Sequence, residues 1–193
     1  MKYLKMLGLA AVAVMAMMGV AGVGAASADE VCTNTSGACE QINTIEASQV
    51  GTGTLETTGA TTLVTCNAGD IHATVTKQGA GVDPITGTIN TLKFTECSHT
   101  VTTLNAGKLD ASASGTNGTL SATGSEVTVN GIFGVSCVYG SGAALDIGTT
   151  NGTTLTVNAV VPKISGPLVC PPDTRWKASF KITNHSTVDF RNN

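Results

Sequence analysis

Charged side chains are few in this sequence. Lysine, arginine, aspartate and glutamate make up 12% of its 193 residues, about half the share of an ordinary soluble domain. No basic stripe runs through it and no basic residues interleave with aromatic ones, so a nucleic-acid interface is excluded. Aromatic residues are scarcer still, at 4%. Beyond the N-terminal leader, Tyr139 and Trp176 are the only large amphipathic rings, too few for the stacked platforms of a sugar-binding cleft. There is no Cys-x-x-Cys pair, and no histidine stands at ligand spacing to a cysteine, which argues against metal or redox chemistry. Nucleotide loops, zinc and calcium motifs and the Gly-x-Ser-x-Gly elbow are also missing. No cofactor is implied.

Methionine occurs only at positions 1, 6, 15, 17 and 18, inside a segment of distinct character. Lys2 and Lys5 form a positive start, residues 7–23 are almost wholly apolar, and Ala26-Ser27-Ala28 offers the small-x-small pattern that a signal peptidase cuts. Residues 1–28 therefore read as a cleavable secretory signal rather than a retained membrane helix, with no membrane span in the mature chain. Residues 29–193 remain, about 165 in number, enough for one domain with its own core. They carry eight basic and thirteen acidic side chains, a net charge of −5 that aids solubility and repels phosphate backbones.

What is abundant is threonine, serine, glycine and alanine. No long apolar stripe of helical period appears, and small or β-branched side chains suit packed strands. Three Asn-Gly pairs, Asn117-Gly118, Asn130-Gly131 and Asn151-Gly152, are flanked by β-branched runs and predict hairpin turns. Strands are expected over residues 42–48, 61–66, 71–76, 85–97, 101–104, 109–113, 120–129, 132–139 and 155–161. Residues 176–182 alternate most cleanly, with Trp176, Ala178, Phe180 and Ile182 on one face and Lys177 and Lys181 on the other. A change of phase between Ile89 and Leu92 predicts a bulge. Residues 29–40 read as a polar arm and residues 184–193 as a frayed tail. The fold class is all-β, an antiparallel β-sandwich, with a barrel as the alternative.

Six cysteines, Cys32, Cys39, Cys66, Cys97, Cys137 and Cys170, follow the leader. An even number in an oxidising compartment points to three structural disulfides, and fifteen pairings are open. The sequential one is preferred: a short N-terminal loop and two loops of about thirty residues, each worth about 3–4 kcal/mol of loop entropy. Gly53–Gly59 also echoes Gly118–Gly124, with a cysteine following each, which is either duplication or chance matching in a chain rich in Gly and Thr.

Catalytic candidates are thin. His72, His99 and His185 read as surface histidines without triad partners. Asp70, Asp110 and Asp146 are the acids a spatially assembled hydrolytic site would use. Asn34, Asn117, Asn151 and Asn184 open Asn-x-Ser/Thr triplets, acceptors only in a host that glycosylates.

The leader, the stretch Val135-Ser136-Cys137-Val138-Tyr139-Gly140, and Asn158-Ala159-Val160-Val161-Pro162-Lys163-Ile164 followed by Cys170-Pro171 resemble a group of small exported bacterial β-rich proteins of unassigned function. The resemblance implies export and a β-rich domain, and brings no catalytic residues. The expectation is a secreted, non-enzymatic surface or extracellular-matrix protein. It would bind a cell-surface protein or a glycan, or assemble with itself, through strand edges. The alternative is a secreted hydrolase. Intact-mass analysis of the exported protein should return residues 29–193, six hydrogens light for three disulfides; a mass retaining the leader would refute the cleavage.

Overall fold

The computed structural model describes residues 29–79, 81–82, 84–114 and 117–192, so the expected signal at residues 1–28 lies outside the described residues. Fourteen strands follow one another: β1 (Asp29–Cys32), β2 (Thr44–Gln49), β3 (Gly53–Thr57), β4 (Thr62–Lys77), β5 (Ile85–Cys97), β6 (Thr100–Asn105), β7 (Lys108–Ser114), β8 (Asn117–Thr123), β9 (Glu126–Ile132), β10 (Val135–Gly140), β11 (Leu145–Asn151), β12 (Thr154–Ser165), β13 (Asp173–Ile182) and β14 (Asp189–Asn192).

The antiparallel all-β class expected from the sequence is what forms, and of its two architectures the barrel is the one adopted in place of the sandwich. The reason lies at β13, which finds a partner on each side. Residues 154–162 of β12 pair with residues 173–181 of β13. On the other side Thr174–Lys177 pair with β3 and Phe180–Ile182 with β2. Both β2 and β3 then pair with β4, so these two short strands share one position in the wall. The ring continues through β5, β7, β8 and β11 back to β12 and closes with eight positions. Closure leaves no open edge in the wall.

Alternation decides which side chains enter the barrel. Leu155, Val157 and Ala159 of β12 are buried while Thr154, Thr156 and Asn158 between them are exposed. Ala178, Phe180 and Ile182 of β13 point inward and Lys177 and Lys181 outward, as expected from the sequence. The bulge expected between Ile89 and Leu92 is present at Asn90, where the register with β4 slips by one residue.

Both ends of the barrel are covered. Over one end folds a sheet of β6, β9 and β10, in which Val101, Val129 and Cys137 form one cross-strand row and Thr103, Val127 and Tyr139 the next. Val127, Val129, Cys137 and Tyr139 pack there against Val64, Leu55, Phe94 and Val161 from the wall. The sheet is tied down by the end of β12, through Val138 with Ser165 and Tyr139 with Lys163, and by the Cys137–Cys170 disulfide. Over the other end lies the ribbon of β1 and β14, whose Val31 and Phe190 join the core of the barrel. Cys32–Cys39 braces its approach, and Cys66–Cys97 staples β4 to β5 across directly paired positions. The sequential pairing of the six cysteines is thus borne out.

Several local expectations are corrected. The tail is not frayed: residues 189–192 are β14, and Phe190 is buried. The first four residues of the N-terminal arm are likewise a strand, with Val31 fully buried against the barrel. Residues 61–66 and 71–76 belong to one strand of 16 residues, and residues 120–129 are divided between β8 and β9 at Gly124. Of the three Asn-Gly pairs, only Asn151-Gly152 sits at a hairpin connection, closing β11 to β12. The β9–β10 turn is Phe133-Gly134, both at positive φ, and Asn130-Gly131 instead makes the bulge that precedes it. Asn117-Gly118 begins β8 inside the ladder. The neighbours β6 and β7 do not pair, since one enters the end sheet and the other the wall. The echoed segments occupy unlike positions as well: β3 adjoins β4, which carries Cys66, while Cys137 lies in the end sheet.

Gly148 leaves no room for a side chain. A Cβ on Gly148 would meet the Thr156 carbonyl oxygen at 1.9 Å. Gly148→Ala should lower the urea midpoint by more than about 1 kcal/mol of stability, and Phe180→Ala, at a fully buried ring, by about 3–5 kcal/mol. A Gly148→Ala variant as stable as the parent would contradict the β11–β12 approach.

Candidate functional site

The interior of the barrel is where the described residues converge on something other than close packing. An eight-stranded barrel has an interior that side chains can just fill. Here many inward positions carry small residues: Ala73, Ala111 and Ala122 line the space together with Gly53, Gly87 and Gly140. They leave a cavity of about 150 Å³. Around it stand aliphatic side chains from every wall position except β13, which supplies Trp176 and Phe180, and three aromatic rings follow in sequence, Phe94 against Trp176 at 5.5 Å and Trp176 against Phe180 at 6.2 Å, both edge-on. No charged side chain lines it among the described residues.

Two polar side chains interrupt the apolar lining without a full set of partners. Tyr139, brought in by the end sheet, is 0% exposed, and its hydroxyl has no hydrogen-bond partner among the described residues. Burial raises its pKa above the ordinary 10.0, because the phenolate would lose its hydration. Gln49 enters at the end of β2, in phase with the inward Ile45 and Ala47. Its Nε2 donates to the carbonyls of Gly51 at 2.9 Å and Cys66 at 2.7 Å, and its buried Oε1 accepts from no described group.

The catalytic candidates are spread over the outer surface. His72 Nδ1 is 3.9 Å from Glu46 Oε1, both half exposed. His99 lies beside Ser98 Oγ, and His185 Nε2 meets the Thr44 carbonyl at 2.9 Å. Asp70 accepts from Ser48 Oγ at 3.0 Å and pairs across the ladder with Lys93. Asp110 and Asp146 flank Ser121 from β7 and β11, opposite the inward face of β8. The structure thus does not bring the histidines and the three acids to one place. Lys177 Nζ donates to Glu56 Oε2 at 2.8 Å on the outer wall, and that bond holds the Glu56 carboxyl below its ordinary 4.5. Glu30 approaches Cys32 and Cys39, but both sulfurs are consumed by their mutual bond and cannot ligate a metal.

Sequence reasoning noticed Tyr139 only as a ring in apolar surroundings, and it missed Gln49. The signal for Gln49 was the alternation Ile45, Ala47, Gln49, which runs one residue past the expected strand end. The fold and its cavity define an antiparallel β-barrel with an apolar interior. No family model, no curated protein and no solved structure matches the chain. Among the described residues no helix is long and apolar enough to cross a membrane.

Tyr139 gives the site a pH signature. Above the ordinary value of 10.0 an unfolded tyrosine ionises while the buried one keeps its proton, so the native state binds more protons and stability falls as pH rises. The urea midpoint of the parent should fall more steeply than that of Tyr139→Phe between about pH 10 and pH 11. Parallel slopes would place the hydroxyl in water.

Proposed function

We propose that this is a secreted, non-enzymatic binding protein whose barrel holds one small apolar molecule. The observation that carries the reading is the apolar cavity of about 150 Å³ inside the barrel, with no charged side chain in its lining among the described residues. Apolar cavities of about this volume stay dry and admit molecules of the size of benzene. An apolar pocket with a few converging polar groups and a perturbed titratable residue is the expected form of a small-molecule site. Three disulfides fit an oxidising environment, and the leader and the likeness to small exported bacterial proteins support export as part of this proposal.

Assembly through strand edges keeps one foothold as a second reading. Barrel closure protects the wall, but β6 is the last strand of its sheet, carries no charge or proline, and exposes Leu104 at 57%. Light scattering behind size-exclusion chromatography decides that reading: mass rising with concentration, and falling on Thr102→Lys, supports it, and a constant monomer ends it.

Trp176 lines the cavity and is the only tryptophan, so its fluorescence reports the interior alone. Titration with toluene or benzyl alcohol should give a saturable change at one site. Ala122→Leu, which fills part of the space, should weaken it by about tenfold or more. No saturable response to either probe in the folded parent would overturn the carrier reading.

A further inference from the structure

We propose that the occupant of the barrel is a neutral, slim molecule bearing a hydroxyl, an alcohol or a phenol, and that Gln49 Oε1 is the acceptor that receives its proton-bearing oxygen. This rests on the carrier reading above and adds the chemical class of the ligand.

The orientation of the Gln49 amide follows from its surroundings. Nε2 faces two carbonyl oxygens, those of Gly51 and Cys66. Exchanging nitrogen and oxygen would set an acceptor against two acceptors, so both amide hydrogens are committed and Oε1 can only accept. Space for the amide is made on both sides by glycine. A Cβ at Gly69 would stand 3.0 Å from Gln49 Oε1, and one at Gly53 would stand 3.2 Å from both Nε2 and Oε1. The oxygen is buried and has no donor among the described residues, while Gln49 is one of the residues lining the cavity. A buried acceptor left unpaired is unfavourable, and a donor arriving with a ligand relieves it.

The second unpaired group narrows the class. The Tyr139 hydroxyl, fully buried on the end sheet, can donate as well as accept. A ligand that carries a hydroxyl answers both possibilities, whereas a bare hydrocarbon answers neither. Ionised ligands are disfavoured by the lining. With no charged side chain around the cavity among the described residues, a carboxylate or an ammonium would be buried without a counter-charge.

The test compares probes of one carbon skeleton on the disulfide-intact protein: toluene, benzyl alcohol and benzoate, followed by Trp176 fluorescence. Benzyl alcohol should bind at least as tightly as toluene, although the alcohol is harder to remove from water, and benzoate should not bind. In Gln49→Met, affinity for benzyl alcohol should drop about tenfold while that for toluene stays within about twofold. If toluene binds more tightly than benzyl alcohol, or if Gln49→Met leaves their ratio unchanged, the hydroxyl assignment fails and the carrier reading stands. If neither neutral probe binds, the carrier reading itself fails. The parent protein alone decides the first comparison should Gln49→Met not fold.

Discussion

Ring closure at β13 is the constraint on which the rest depends. Once β13 is paired with β12 on one side and with β2 and β3 on the other, the number of wall positions is set at eight. That number sets the diameter, because strand count and interior width are linked. The wall cannot then collapse onto small side chains as two facing sheets could. Alanine and glycine at inward positions therefore become empty space rather than closer packing, and the cavity follows from them.

The ends follow from the same constraint. An apolar interior open to water at both mouths would lose much of the benefit of its burial. One mouth is covered by a sheet that the chain reaches twice, first by β6 and later by β9 and β10, and the other by the ribbon of β1 and β14. The disulfides sit at the places this architecture makes weakest. Cys137–Cys170 ties the end sheet to the connector after β12, Cys66–Cys97 holds the wall beside that mouth, and Cys32–Cys39 holds the approach to the ribbon. Each lies where a short segment would otherwise open independently of the wall.

The polar chemistry is divided by the wall. Outside lie most of the threonines and asparagines, the histidines, and acids such as Glu46 and Glu56 paired with His72 and Lys177. Inside, among the described residues lining the cavity, Tyr139 and Gln49 carry the unpaired polar atoms amid aliphatic and aromatic side chains. Few polar atoms in a dry space are individually consequential, because the low dielectric that strengthens a hydrogen bond also penalises an unmade one. The binding proposal rests on this contrast, not on any convergence of catalytic groups.

Much of the wall was legible beforehand. The period-two alternation of residues 176–182, the bulge near Asn90 and the three neighbouring cysteine pairs all came through, since each is set by chemistry local to the strand or by pairs brought close by one connection. The tail was misread because Phe190 has no partner nearby in the chain; it is buried by the barrel core and by pairing with a strand that begins at Asp29. Gln49 was missed because the expected strand ended one residue short of it; its phase with Ile45 and Ala47 marks the inward face, and the fold shows that a cavity lies there. The amino-acid sequence by itself determined the strands, the sulfur bridges and the small size of the inward side chains. Only the tertiary structure decided between two sheets and a ring, for that choice hangs on whether β13 meets β2 and β3. These are pairings between residues more than a hundred positions apart, whose free energy local patterns do not encode.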